Sequence, residues 1–140
     1  MTVLNATQAR NEWSAVLDSV VREKPQFIKR TRDYMFLADI SVLEDILAAY
    51  TFHAETFTED DGSITASLDE ISLVENGTDM HNALHKLGAA ILEYANDFYN
   101  NYSYWARGGG KQHIPFILKA LVINDAEKIG GLIKCRHGEI

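Results

Sequence analysis

The chain has 140 residues, 46% of them hydrophobic and 24% charged, with a formal net charge of -7. That balance is ordinary for a globular protein and excludes a disordered or fibrous chain, and the length holds one medium domain or two small ones. No apolar run approaches the roughly eighteen residues of a membrane span, and Arg10 and Glu12 come too early for a secretory signal, so a cytoplasmic protein is expected.

The first elements read as a β-α-β-β-α module. Residues 2–4 form a short strand. Asn5 and Gln8 then make a capping box, from which a helix runs from Ala6 to about Arg22 and stops ahead of Lys24-Pro25. Its apolar residues Ala6, Ala9, Trp13, Val16, Leu17 and Val20 recur at three and four, which predicts one buried face with Arg10 at its edge. Residues 26–30 and 34–40 are rich in aromatic and branched side chains and read as two strands. Thr31-Arg32-Asp33 between them has hairpin length but no glycine. Ser41 and Glu44 suggest a second capping box, with Val42, Leu43, Ile46, Leu47 and Tyr50 on one helical face.

A new pattern begins after residue 50. Residues 51–58 and 63–68 are strands joined by Glu59-Asp60-Asp61-Gly62, and Ile71, Leu73 and Val74 suggest a third before Asn76-Gly77. Thr78 is the expected cap of a long helix reaching about Tyr102, with Met80, Leu84, Leu87, Ile91, Tyr94, Ala95, Phe98 and Tyr102 as its apolar stripe. Gly108-Gly109-Gly110 reads as a flexible connector. Residues 113–123 and 125–133 follow as short helices, with Pro115 in the first turn of the former. The predicted fold class is α+β, with domains over residues 1–51 and 52–140.

Charge is unevenly distributed. Residues 1–50 carry six Lys/Arg and seven Asp/Glu, whereas residues 51–140 carry seven and thirteen. Four of the first six cations are Arg10, Lys29, Arg30 and Arg32, so a local basic surface is expected on an otherwise acidic chain. A unit of about fifty residues is marginal alone, and dimerisation is the usual remedy. Two copies would offer about eight cations, and if all met phosphate the slope of log affinity against log salt would be near -7.

Other constellations carry less. Cys135 has no second cysteine to pair with, and the five histidines make no zinc pattern. His81 and His85 have the spacing of a zinc-protease pair, but Asn82 stands where that chemistry needs a glutamate. Asp60, Asp61, Asp69, Glu70 and Asp79 fall mainly in turns, and Gly108-Gly109-Gly110-Lys111 lacks the spacing of a phosphate loop. No metal, no cofactor and no catalytic residue are expected, and the protein is not expected to be an enzyme. The aromatic set Tyr94, Phe98, Tyr99, Tyr102, Tyr104 and Trp105 exceeds one helix face, which makes Tyr104, Trp105 and Arg107 candidates for a partner surface.

The opening Thr2-Val3-Leu4-Asn5-Ala6-Thr7-Gln8-Ala9-Arg10-Asn11, with residues 14–21, Phe27-Ile28-Lys29-Arg30 and residues 41–50, resembles the amino-terminal domain of the Phd/YefM antitoxins. The resemblance implies a dimer that represses its own operon, with Arg10 at the DNA-contacting arginine. Thr7, Arg10, Asn11, Lys29, Arg30 and Arg32 form the implied DNA-binding set. The strand, Asp-Gly turn and strand, Ser67-Leu68-Asp69-Glu70-Ile71, Asn76-Gly77-Thr78-Asp79 and the helix containing Ala83-Leu84 resemble a HicB-type domain, a partial ribonuclease H fold. That resemblance implies that the second domain masks a cognate toxin, a small ribonuclease. The expected partners are therefore operator DNA, a toxin and a second copy of the chain, as a homodimer or higher even oligomer. The alternative is a DNA-binding or adaptor sensor whose second domain binds a small ligand, with no toxin.

Overall fold

A computed structural model describes residues 1–138. The fold is α+β with two separate sheets, and the chain divides into two compact units, Met1–Ile46 and Leu47–Ile140.

In the first unit β1 (Val3–Asn5) lies parallel to β2 (Gln26–Arg30), which pairs antiparallel with β3 (Asp33–Leu37). A parallel pair needs a crossover, supplied here by α1 (Ala6–Asn11) and α2 (Trp13–Arg22). The continuous helix expected over this span is broken at Glu12, whose φ of -113° and ψ of 29° leave the helical region. The apolar spacing runs through the break, because the Glu12 amide still donates to the Gln8 carbonyl (3.0 Å) and Val16 to that of Glu12 (2.9 Å). The core is Ala9, Val16, Val20 and Ile28, flanked by Leu4, Ala6 and Leu37. Trp13 and Leu17, expected inside, remain 46% and 40% exposed. The apolar stripe of the helix is wider than a three-stranded sheet can cover.

The hairpin turn is shorter than expected, since Arg30 pairs with Asp33 and only Thr31 and Arg32 lie between. Thr31 takes a φ of 55°, which for a branched residue costs about 1 kcal/mol or more. The next helix, α3 (Ile40–Leu47), starts earlier than the sequence suggests. Asp39, rather than Ser41, organises its start by accepting from the Ser41 amide (3.1 Å) and hydroxyl (2.6 Å). Those bonds hold the Asp39 carboxyl below its ordinary pKa.

The second unit is built on a four-stranded sheet in the order β6-β5-β4-β7. β4 (His53–Thr58) and β5 (Ile64–Leu68) form an antiparallel hairpin, and β6 (Val74–Gly77) pairs antiparallel with β5. Gly62 takes a φ of 85° in the hairpin turn, which the Asp61 carboxylate closes by accepting from the Ser63 amide (2.9 Å). β7 (Lys134–His137) lies parallel to β4 and was not anticipated from the sequence.

α4 (Met80–Asn100) is capped by Asp79, which accepts from the Asn82 amide, and not by Thr78. It ends at Asn100, and Tyr102–Trp105 forms a separate short helix, α5. Its buried residues Ala83, Leu87, Ile91, Ala95 and Phe98 join Phe52, Ala54, Ala66, Leu68 and Ile71 in one core, closed by Ile117 and Ala120 of α6 (Ile114–Ile123) and Ile129 of α7 (Ala126–Leu132). Met80 and Tyr102, the two ends of the expected stripe, are exposed. The three glycines are no open connector, because Gly108–His113 winds into a 3-10 turn. Gly110 there packs against the Trp105 carbonyl with no room for a side chain. Among the described residues no helix is long and apolar enough to cross a membrane.

Candidate functional site

The parallel pairing of β1 and β2 does more than close the first sheet. It sets Asn5 opposite Lys29, and Asn5 is also the residue from which α1 springs, its side chain accepting from the Gln8 amide at 2.7 Å. The start of α1 is thereby held beside the outgoing end of β2 and the hairpin turn. One open depression results, lined by Asn5, Ala6, Thr7, Gln8, Asn11 and Glu12 from the helix side and by Lys29, Arg30 and Thr31 from the hairpin.

Four of the six residues expected to contact DNA therefore meet around one depression: Thr7, Asn11, Lys29 and Arg30. Arg10 and Arg32 are exposed but lie outside its lining. Arg30 donates to the Asp33 carboxylate at 2.9 Å, so part of its charge is already answered, whereas Lys29 has no ion pair among the described residues. Exposed on both sides, the Arg30–Asp33 pair contributes well under about 1 kcal/mol and can open to a stronger anion. Asn5, Ala6, Gln8, Glu12 and Thr31 complete the lining, outside the expected set. Gln8 was spent on a capping box, of which the structure contains the Asn5 half, and Glu12 lay inside what reads as one helix. The set combines hydroxyl and carboxamide groups from α1 and the Glu12 carboxylate just past its end with cations from the hairpin. Such groups can read base edges and neutralise phosphate, respectively.

The face of the first sheet opposite its helices is apolar. Val3 pairs with Phe27 and Phe27 with Phe36, so these three share a face; the rings of Phe27 and Phe36 are 5.2 Å apart and those of Phe27 and Tyr34 5.9 Å. Within this unit Phe36 stays 50% exposed, and with Ile40, Leu43 and Ile46 it lines a shallow groove. A second apolar row, Trp13, Leu17 and Val21, steps along α2 every four residues, also exposed.

In the second unit Tyr104 and Trp105 are brought together edge to face at 5.3 Å, and Trp105 stacks on the buried Phe98 at 6.4 Å. Tyr94 donates to or accepts from His113 at 2.9 Å behind them, and burial raises its phenol above the ordinary pKa. Tyr104 is 74% exposed, and Arg107, also exposed, follows two residues after Trp105. Elsewhere on this unit Arg136 grips Asp69 with two hydrogen bonds (2.5 and 3.1 Å), and His53 pairs with Glu70 at 3.1 Å. His81 and His85 border a small cavity with Glu127, but no group of three metal-ligating side chains is assembled among the described residues.

A family model described as PHD-like, antitoxin of toxin-antitoxin, RelE/RelB, TA system, matches residues 1–135. A crystal structure of a protein assigned as the antitoxin part of a toxin/antitoxin system of Syntrophomonas wolfei subsp. wolfei is similar at 34% identity. The match covers 99% of this chain and 100% of that one, with a TM-score of 0.92. No curated protein matches.

Proposed function

This chain belongs to the PHD-like family of toxin–antitoxin antitoxins, regulatory proteins rather than enzymes, and on that premise we propose a division of labour between its two units. An antitoxin has a cognate toxin as its partner. In our reading Met1–Ile46 is a Phd/YefM-type module that dimerises and binds the operator of its own operon, and the rest is a HicB-like domain that covers the toxin, a small ribonuclease.

The observation that carries DNA binding is the gathering of Thr7, Asn11, Lys29 and Arg30 around one depression. Lys29 and Arg30 neutralise phosphate there while the α1 side chains face base edges, and Arg10 and Arg32 add phosphate contacts outside it. Dimerisation is supported by the unit's size and by its uncovered apolar rows, Val3-Phe27-Tyr34-Phe36 and Trp13-Leu17-Val21, more than a unit of some fifty residues leaves wet without a partner. For the toxin surface the candidates are Tyr104, Trp105 and Arg107, residue types that anchor interfaces, of which Tyr104 is the most exposed aromatic.

Gel retardation of the chain's own promoter tests the first unit, with retardation expected and its absence refuting the reading. Co-purification of the product of the adjacent gene tests the second. A chain that captures no such product would instead fit a sensor without a toxin.

A further inference from the structure

We propose that Glu12 sets base preference at the α1 face: its carboxylate accepts a hydrogen bond from an exocyclic amine in the major groove, cytosine N4 above all, and turns phosphate away from its side of the depression. The inference rests on the reading of Met1–Ile46 as a DNA-binding unit.

Glu12 is the one acid among the nine residues that line the depression, where it shares the surface with Lys29 and Arg30. Its carboxylate has no ion pair and no hydrogen bond among the described residues, while the Arg30 cation that lines the same depression is engaged with Asp33 instead. A carboxylate without a partner weakens any purely electrostatic attachment to a polyanion, because it cancels one neighbouring cation. What it offers in exchange is an acceptor with no donor. Guanine presents two acceptors in the major groove and thymine an acceptor and a methyl group, so both repel it. Adenine presents a donor beside an acceptor, and cytosine presents a donor alone. Cytosine is therefore the base that a carboxylate favours.

The backbone at this position is suited to the task. Glu12 leaves the helical region at the join of α1 and α2, with φ -113° and ψ 29°, yet is bonded on both sides, through its amide to Gln8 and through its carbonyl to Val16. The side chain is thus presented from a fixed corner rather than from a mobile loop.

The test uses the full chain and its own promoter duplex, with each base pair of the protected segment changed in turn, in competition binding of wild type, Glu12→Gln and Glu12→Ala. The expected result is that wild type prefers cytosine at one position per half-site by about tenfold. Glu12→Gln should shift that preference to adenine. Glu12→Ala should lose discrimination there alone and bind random duplex several-fold more tightly. Wild-type preferences retained at every position by Glu12→Ala would overturn the role of Glu12 and leave DNA binding standing. Wild type that binds no DNA would overturn both.

Discussion

Gly88 of α4 and Gly130 of α7 meet backbone to backbone: a β-carbon built on Gly88 would stand 2.7 Å from the Gly130 nitrogen, and one on Gly130 would stand 2.7 Å from the Leu84 carbonyl oxygen. The groups in the way are main chain of another helix and cannot turn aside as a side chain would. Gly88→Ala or Gly130→Ala is therefore expected to destabilise the second unit by about 1 to 3 kcal/mol, read as a lower urea midpoint. Gly131→Ala, where a β-carbon meets nothing within 4 Å, is the control and should leave the midpoint nearly unchanged or slightly raised.

Phe36 is half exposed on the uncovered sheet face, so its replacement leaves the internal core of Ala9, Val16, Val20 and Ile28 intact. Phe36→Lys should convert the proposed dimer into a monomer of unchanged helical content, measured by sedimentation and circular dichroism. It should also weaken promoter binding, because two half-sites are no longer held together. A mutant that stays dimeric would move the dimer contact to the Trp13-Leu17-Val21 row.

The Arg136–Asp69 pair sets the sign of the pH dependence expected for β7. The hydrogen bonds from Arg136 hold the Asp69 carboxyl below its ordinary pKa. A depressed folded value means that the stabilisation is present above the unfolded value of about 4 and is lost as pH falls through the folded one. Both side chains are more than a third exposed, so the effect is small, below about 1 kcal/mol. Denaturation of wild type and Asp69→Asn should differ at pH 7 and converge in strong acid; a difference that persists at low pH would place the contribution of Asp69 elsewhere.

Tyr104 is exposed and Trp105 rests on Phe98, so Tyr104→Ala removes surface without opening the core. Capture of the co-expressed toxin should weaken by about 2 kcal/mol or more if this is the toxin surface, with promoter binding unchanged. Equal capture by mutant and wild type would exclude this patch.

The alternation of Ile64, Ala66 and Leu68, the Asp-Gly turn and the long stripe of α4 were legible because each is a local pattern with a single physical reading. β7 was not, since Lys134-Cys135-Arg136-His137 has no apolar alternation; its place depends on backbone pairing with β4 and on the grip of Arg136 on Asp69. At both helix starts an aspartate close by takes the cap, Asp39 two residues before Ser41 and Asp79 next to Thr78, and spacing alone does not decide between neighbouring candidates. For the site, Lys29 and Arg30 could be named from the sequence, but not that the β1–β2 register sets Asn5 opposite Lys29. That pairing brings Gln8 and Glu12 into the depression as well.

The most direct measurement is the salt dependence of binding to the chain's own promoter, by fluorescence anisotropy, for wild type and Lys29→Ala. The exposed Arg30–Asp33 pair opens to phosphate, so all eight cations of the proposed dimer count and the log–log slope should be near -7. Lys29→Ala removes two and should flatten the slope by about 2 while weakening binding at every salt concentration. A promoter affinity that is insensitive to salt, or a Lys29→Ala protein with the wild-type slope, would contradict the assignment of this face to DNA.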